Sequence, residues 1–355
     1  MGRIRVMVVD DAVVVRRMLT DSLSSEPDID VVGTAPNGRI ALAKLTTLNP
    51  DIIILDLEMP ELDGLQTLAE LRRIAPRVPV IMFSSLTQRG AAATLDALAL
   101  GARDYITKPA TSSPSESFEL IRGQLVGKIR ALTGRSSVPK SLDASSTVTK
   151  TASTFLSRIS QNQRIDIVAI GVSTGGPAAL AVLMPEFPRD FPVPIVLVQH
   201  MPPMFTSMLA ERLTNISQIK VSEGAPGMIL EPGQAYIAPG DYHMTVERRE
   251  RAVCLALNQG MPENSCRPAV DVLFRSVVQI YGCNVLAVIL TGMGQDGLRG
   301  CEDIKENGGT VFAQDEATSV VWGMPGFVAR TGLADKILPI ELVGVEIVRK
   351  VIGSR

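Results

Sequence analysis

Histidine is almost missing from this chain: His200 and His243 are the only two in 355 residues, so imidazole chemistry is confined to those positions. Cysteine is scarce too. The four, Cys254, Cys266, Cys283 and Cys301, lie far apart with no CxxC pair, which excludes a disulfide framework or zinc ribbon and suits a reducing cytosol. They read as inert core or surface thiols. A basic surplus is also lacking. The net charge of −2 and pI near 5.9 leave nothing to neutralise a phosphate backbone, so nucleic acid is not an expected partner. No apolar run approaches the ~20 residues of a membrane helix, and Val6 stands where a myristoylation signal needs Ser or Thr. Direct membrane insertion is therefore not expected, and a cytoplasmic location is.

What is present fits soluble α/β architecture: 46% hydrophobic residues, 20% charged and 29 glycines. The length exceeds what one core usually organises, so two domains are expected. From Ile4 the chain alternates short β-branched runs with amphipathic stretches, the rhythm of βαβ units. Candidate strands are Ile4–Val9, Ile29–Ala35, Ile52–Leu55, Val80–Ser84 and Asp104–Ile106. Each is apolar enough to be buried on both faces of a parallel sheet. Residues rich in Ser, Thr and Lys then interrupt the pattern before IDIVAIGVS, VPIVLVQH and NVLAVILTG resume it. The expected division is a first domain over 1–128, a flexible linker over 129–163 and a second domain over 164–355, both domains doubly wound parallel sheets. Between Gly233 and Leu257 the pattern reads instead as an antiparallel hairpin inserted in the second sheet, with His243 a solvated turn residue.

In the first domain, chemistry gathers at strand ends. Asp10 and Asp11 end the first strand, Asp56 ends IIILD, Ser84 ends VIMFS and Lys108 precedes Pro109 in DYITKP. Parallel strands bring these ends to one sheet edge. Three carboxylates there need a hard cation with oxygen ligands to relieve their repulsion, and Mg²⁺ is the natural choice. A carboxylate beside Mg²⁺ and a lysine is a plausible nucleophile for phosphoryl transfer. A single such Asp is usually a solvated turn or cap; the conjunction is what carries the reading.

VVDD, LDLEMPELDG, FSS and YITKP, in that order, resemble the receiver domains of two-component response regulators, which are flavodoxin-like. The resemblance implies that Asp56 is the phosphoacceptor, that Asp10 and Asp11 hold Mg²⁺ with it, and that Lys108 contacts the phosphate. It implies a switch in which the Ser84 hydroxyl moves to the phosphoryl oxygens and the Tyr105 ring repacks inward.

In the second domain, DIVAIGVSTGGP places Ser173 after a buried strand and before a helix-like stretch, in a G-x-S-x-G pattern that exposes a nucleophilic hydroxyl near helix N-terminal amides. The same turn could cradle a phosphate or merely cap a helix. His200 ends VPIVLVQH, where a hydrogen bond to Ser173 is geometrically credible. Asp296, in VILTGMGQDG, follows another buried strand and would fix the imidazole tautomer. The order Ser, His, Asp differs from that of the α/β-hydrolases. Backbone N–H groups near Thr174, His200 or Met293 are candidate oxyanion donors.

AIGVSTGGP, VQHMPPMFT, AYIAPGDYHM, RPAVDVLF, VILTGMGQDG and GMPG resemble the catalytic domain of the chemotaxis protein-glutamate methylesterases, the CheB family. The resemblance makes Ser173 the nucleophile, His200 the general base and acid, and Asp296 its orienting carboxylate. It implies a phosphorylation-activated serine hydrolase that demethylates glutamate γ-methyl esters on methyl-accepting chemotaxis receptors, with glutamine deamidation beside it. A chemotaxis histidine kinase would be the phosphodonor, and the esterase step would need no cofactor. The unphosphorylated receiver is expected to restrain the hydrolase.

Two other classes compete. A receiver joined to a nucleotide-binding module would use GVSTGG to hold phosphate, yet neither G-x-G-x-x-G nor G-K-[ST] stands at Ser173. A DNA-binding regulator is disfavoured by the charge balance and the absence of a recognisable helix-turn-helix.

Overall fold

The computed structural model describes residues 2–108, 114–135 and 163–355, which fall into two compact units, one ending at Ser136 and one beginning at Ser137. The interval expected to be a linker lies mostly outside the described residues. The helix that closes the first unit extends to Leu132, past residue 128.

The first unit is a five-stranded parallel sheet of β1 (Ile4–Val9), β2 (Ile29–Ala35), β3 (Ile52–Asp56), β4 (Val80–Ser84) and β5 (Asp104–Thr107), in the order β2-β1-β3-β4-β5. Helices α1 (Val13–Ser24), α2 (Gly38–Leu48), α3 (Gly64–Ile74), α4 (Gln88–Ala99) and α5 (Pro114–Leu132) connect and follow them. The β-branched runs β3 and β4 are buried along their whole length, as strands covered on both faces must be. Strand order reverses between β1 and β3, and the carboxyl ends of those two strands carry Asp10 and Asp56. Helix α3 starts sharply because Asp63 and Gln66 form a reciprocal capping box.

The second unit holds a seven-stranded parallel sheet in the order β14-β13-β12-β6-β7-β9-β8. Its strands are β6 (Ile167–Val172), β7 (Ile195–Gln199), β8 (Lys220–Glu223), β9 (Gln234–Ile237), β12 (Val285–Ile289), β13 (Thr310–Gln314) and β14 (Lys336–Leu338). Order reverses between β6 and β12, so the loops after β6, β7 and β12 meet at a second switch point. The flanking helices are α6 (Gly176–Leu183), α7 (Phe205–Ile216), α8 (Val270–Tyr281), α9 (Leu298–Glu306), α10 (Met324–Arg330) and α11 (Ile340–Gly353). Val270, Phe274 and Val277 of α8 join Ala169, Ala287 and Ile289 of the sheet in one core.

The antiparallel hairpin is present as expected, with two details corrected. The hairpin β10 (His243–Arg249) with β11 (Ala252–Asn258) is not part of the main sheet but a separate two-stranded sheet, while Gln234–Ile237 pairs in parallel with β7 and β8. Met244, Val246 and Leu255 of the hairpin are buried in the same core as α8. His243 is likewise no solvated turn residue. It is 2% exposed at the start of β10, accepting from the Ala269 amide at Nδ1 and donating from Nε2 to the Met261 carbonyl.

Candidate active site

Ser173 and His200 each stand one residue past a register pair, Val172 with Gln199, so adjacent strands deliver them side by side. The His200 amide donates to the Val172 carbonyl, and buried Gln199 donates from Nε2 to the carbonyls of both Ser173 and His200. The Ser173 amide donates to Thr291, and the Thr291 hydroxyl donates to Thr174, which ties the turn after β6 to the loop after β12. Space allows nothing larger than glycine here. A Cβ on Gly176 would lie 1.9 Å from Gln199 Oε1, one on Gly292 would lie 2.8 Å from Ser173 Cβ, and Gly175 takes φ 79°.

Asp296 meets His200 as expected, with Oδ2 2.8 Å from Nε2. The carboxylate is 2% exposed yet fully furnished with donors: Val270 and His200 at Oδ2, and Asp271, Gly297 and the Asn264 side chain at Oδ1. Burial would raise its pKa, but the His200 hydrogen bond and charge and those amides hold it below the usual range. Asp271 lies next to it, pushed up to about 6 by burial and by the Asp296 charge, against the Gly300 amide. Asn264 bridges the two carboxylates. Neither Asn264, Asp271 nor Gln199 was singled out by sequence reasoning, although Asp271 sits in RPAVDVLF and Gln199 in VQHMPP.

Two features depart from expectation. The Ser173 hydroxyl makes no hydrogen bond to His200; the second imidazole nitrogen, Nδ1, faces Cys266 Sγ at 3.6 Å. Cys266 thus stands beside the imidazole rather than apart from the site. Burial pulls the imidazole pKa down, but the Asp296 hydrogen bond and the Cys266 sulphur outweigh it and push it up to about 10. Among the candidate oxyanion donors, His200 is ruled out because its amide is spent on Val172. The Met293 amide donates to no described residue and follows Gly292, which touches Ser173. Thr174 is buried, and its carbonyl accepts from the Thr291 hydroxyl.

In the first unit, Lys108 Nζ lies 2.8 Å from Asp56 Oδ1 and 3.1 Å from Asp10 Oδ2. Burial opposes the ammonium, yet the two carboxylates raise its pKa and keep it charged. Asp56 is 2% exposed and its pKa is pushed up to about 6, chiefly by burial and then by Asp10, with Lys108 working the other way. Its Oδ2 is buried without a hydrogen-bond partner. Oxygens of Asp10, Asp11 and Asp56 lie within 4.8 Å of one another, with Asp11 on the exposed side. An all-oxygen donor set with a bare buried oxygen fits a hard divalent cation such as Mg²⁺. A cavity of about 750 Å³ beside it is lined by Asp11, Met59, Ser85, Arg89 and Lys108 among others. Ser84 is turned from this cavity, its hydroxyl accepting from Thr94 at 2.7 Å and donating to Gly90. The Tyr105 ring is already buried, at 8% exposure, so no inward repacking remains to be made from this state.

Fold and sites together define a class: a response-regulator receiver on one parallel sheet and a Ser/His/Asp hydrolase-type centre on another. The CheB methylesterase family matches residues 168–347, and the response regulator receiver domain matches residues 6–116. A "Protein-glutamate methylesterase/protein-glutamine glutaminase" from Trichodesmium erythraeum is 53% identical over 99% of this chain and 100% of its own length. Another from a Nocardioides species is 48% identical over 100% of this chain and 97% of its own. The crystal structure of the Thermotoga maritima CheB methylesterase catalytic domain, 44% identical, superposes with TM-score 0.51 over 52% of this chain and 98% of its own. The chain belongs to the protein-glutamate methylesterase/protein-glutamine glutaminase family.

Proposed function

We propose that this chain is a phosphorylation-activated serine hydrolase that converts glutamate γ-methyl esters on methyl-accepting chemotaxis receptors to glutamate and methanol, and deamidates glutamines on the same receptors. The observation that carries the reading is the Asp296-anchored imidazole of His200 held beside Ser173 at the switch point of the sheet. Asp296 occupies Nε2, so Nδ1 is the nitrogen that exchanges protons. Ser173 Oγ attacks the ester carbonyl as Nδ1 takes its proton. The oxyanion forms against the Met293 amide, and the imidazolium then protonates the departing methoxide. Water, deprotonated by the same nitrogen, hydrolyses the acyl-serine. With an amide substrate the leaving group is ammonia. A hydrogen bond absent from the resting geometry is made when substrate binds, as catalytic hydrogen bonds often are.

The receiver supplies control. Asp56 takes a phosphoryl group from a chemotaxis histidine kinase, Lys108 balances its charge, and Asp10, Asp11 and Asp56 would hold Mg²⁺, which would supply positive charge against the phosphoryl oxygens. A cytoplasmic place of action agrees with the absence, among the described residues, of any helix long and apolar enough to cross a membrane.

Ser173→Ala tests the esterase reading. Methanol release from methylated receptor membranes should fall by at least about a thousandfold; a variant that retains wild-type release removes Ser173 from the mechanism. Nucleotide retention without methanol would instead favour a phosphate-holding role for the GVSTGG turn.

A further inference from the structure

Both nitrogens of His200 are engaged, Nε2 by Asp296 at 2.8 Å and Nδ1 by the Cys266 sulphur at 3.6 Å. We propose that Cys266 is a reactive thiol activated by His200 and Asp296, the site at which hydroperoxides and soft alkylating agents modify this chain and so withhold His200 from Ser173.

A thiol reacts as its thiolate, and an adjacent imidazolium is among the strongest ways to populate that form. Here the imidazolium is stabilised in turn on its far side by a carboxylate. Four N–H donors besides His200 hold that carboxylate, from Val270, Asp271, Gly297 and Asn264, so it cannot swing away. The sulphur is equally well placed. Glu263 and Cys266 exchange both backbone hydrogen bonds across a tight turn, with Asn264 and Ser265 between them in the left-handed region. Arg275 grips Glu263 before the turn, and Asp241 grips Arg267 after it.

The other cysteines lack this setting. Cys254 and Cys301 are buried, and burial drives the Cys301 thiol well up. Cys283 is exposed, and among the described residues its thiol meets the Asn284 side-chain oxygen, at 3.3 Å. Cys266 alone joins an imidazole and remains half-buried, within reach of small reagents. The donor atoms of His200, Cys266 and Asp296 lie close enough together to suggest a metal. Both Asp296 oxygens are already filled, however, which leaves two ligands where zinc sites take three or four.

With a hydroperoxide, the thiolate attacks the terminal oxygen. An S–O bond forms, the O–O bond breaks, and the leaving oxygen takes the proton from Nδ1. The sulphur is oxidised by two electrons to sulfenic acid and the hydroperoxide is reduced to an alcohol or water. With iodoacetamide an S–C bond forms and iodide leaves. Either product puts bulk where the Ser173 proton must pass. The reactivity stands on its own; the loss of ester hydrolysis rests on the function proposed above.

The full chain, treated with iodoacetamide at pH 7 and followed by peptide mass spectrometry, tests the first half. Cys266 should be alkylated at least about tenfold faster than Cys283, and His200→Gln should slow Cys266 by a similar factor while leaving Cys283 unchanged. Equal wild-type rates at the two cysteines overturn the proposal, as does a Cys266 rate indifferent to His200→Gln. Should that variant not fold, the wild-type ratio alone decides. For the second half, hydrogen peroxide should abolish methanol release in step with dimedone-trapped sulfenic acid at Cys266, and dithiothreitol should restore it. Methanol release that persists with Cys266 fully oxidised removes the gating. A phosphorylated, unoxidised chain that releases no methanol refutes the esterase function and leaves the thiol rates to stand or fall alone.

Discussion

At the scale of single residues, the two sites run on opposed burial and charge. Asp56 is an acid whose folded pKa, about 6, lies above its usual value. Such a group favours the folded state only while protonated, and its contribution disappears as pH rises through the folded value. At pH 7 the ionised Asp56 is therefore a strain on the receiver. Asp56→Asn should raise the melting temperature at pH 7 by an amount worth on the order of 1–3 kcal/mol and lose that advantage below about pH 4. Calorimetry across that range checks it. The same variant should take no label from a small phosphodonor with Mg²⁺, and persistent labelling would sink the assignment of Asp56. At His200 the pH dependence has the opposite sign. The base must be neutral to act, so kcat/KM rises with pH through its pKa. Cys266 is among the causes that raise that value. Cys266→Ser should move the acid limb of the pH profile to lower pH, and a limb that stays in place would mean the sulphur does not bear on the base.

At the scale of elements, the strands were legible because a buried parallel strand announces itself as an uninterrupted β-branched run. β1, β2 and β4 have the bounds their apolar patterns imply. Glycines mark where elements come closest. Gly292 abuts Ser173 and the Met324 sulphur, where an added Cβ would sit 2.8 and 2.4 Å away. Gly292→Ala should cost about 1–3 kcal/mol in urea unfolding through overpacking and lower kcat more than KM, because it displaces the turn bearing Met293. The hairpin was less legible. Gln234–Ile237 and His243–Arg249 share one alternating pattern, and only the partner each strand finds tells an edge strand of the large sheet from a strand of the small one.

At the scale of the whole molecule, two doubly wound sheets place their chemistry by one rule, at the loops beside a reversal of strand order. Regulation then requires the receiver to alter the rate of the hydrolase. A fragment of residues 164–355 should release methanol from methylated receptor faster than the unphosphorylated full chain, and phosphorylation of Asp56 should close that gap. Equal rates for the fragment and the unphosphorylated chain would remove restraint by the receiver. The sequence by itself determined the two sheets, and it singled out the strand-end carboxylates and lysine and the three residues Ser173, His200 and Asp296, because strand ends and glycine turns are local signals. Only tertiary structure decided which imidazole nitrogen Asp296 takes, that the His200 amide is spent on Val172, and that Cys266 stands at Nδ1. Those choices depend on where the loops after β7, β11 and β12 cross above the sheet, and no spacing along the chain encodes a distance between loops.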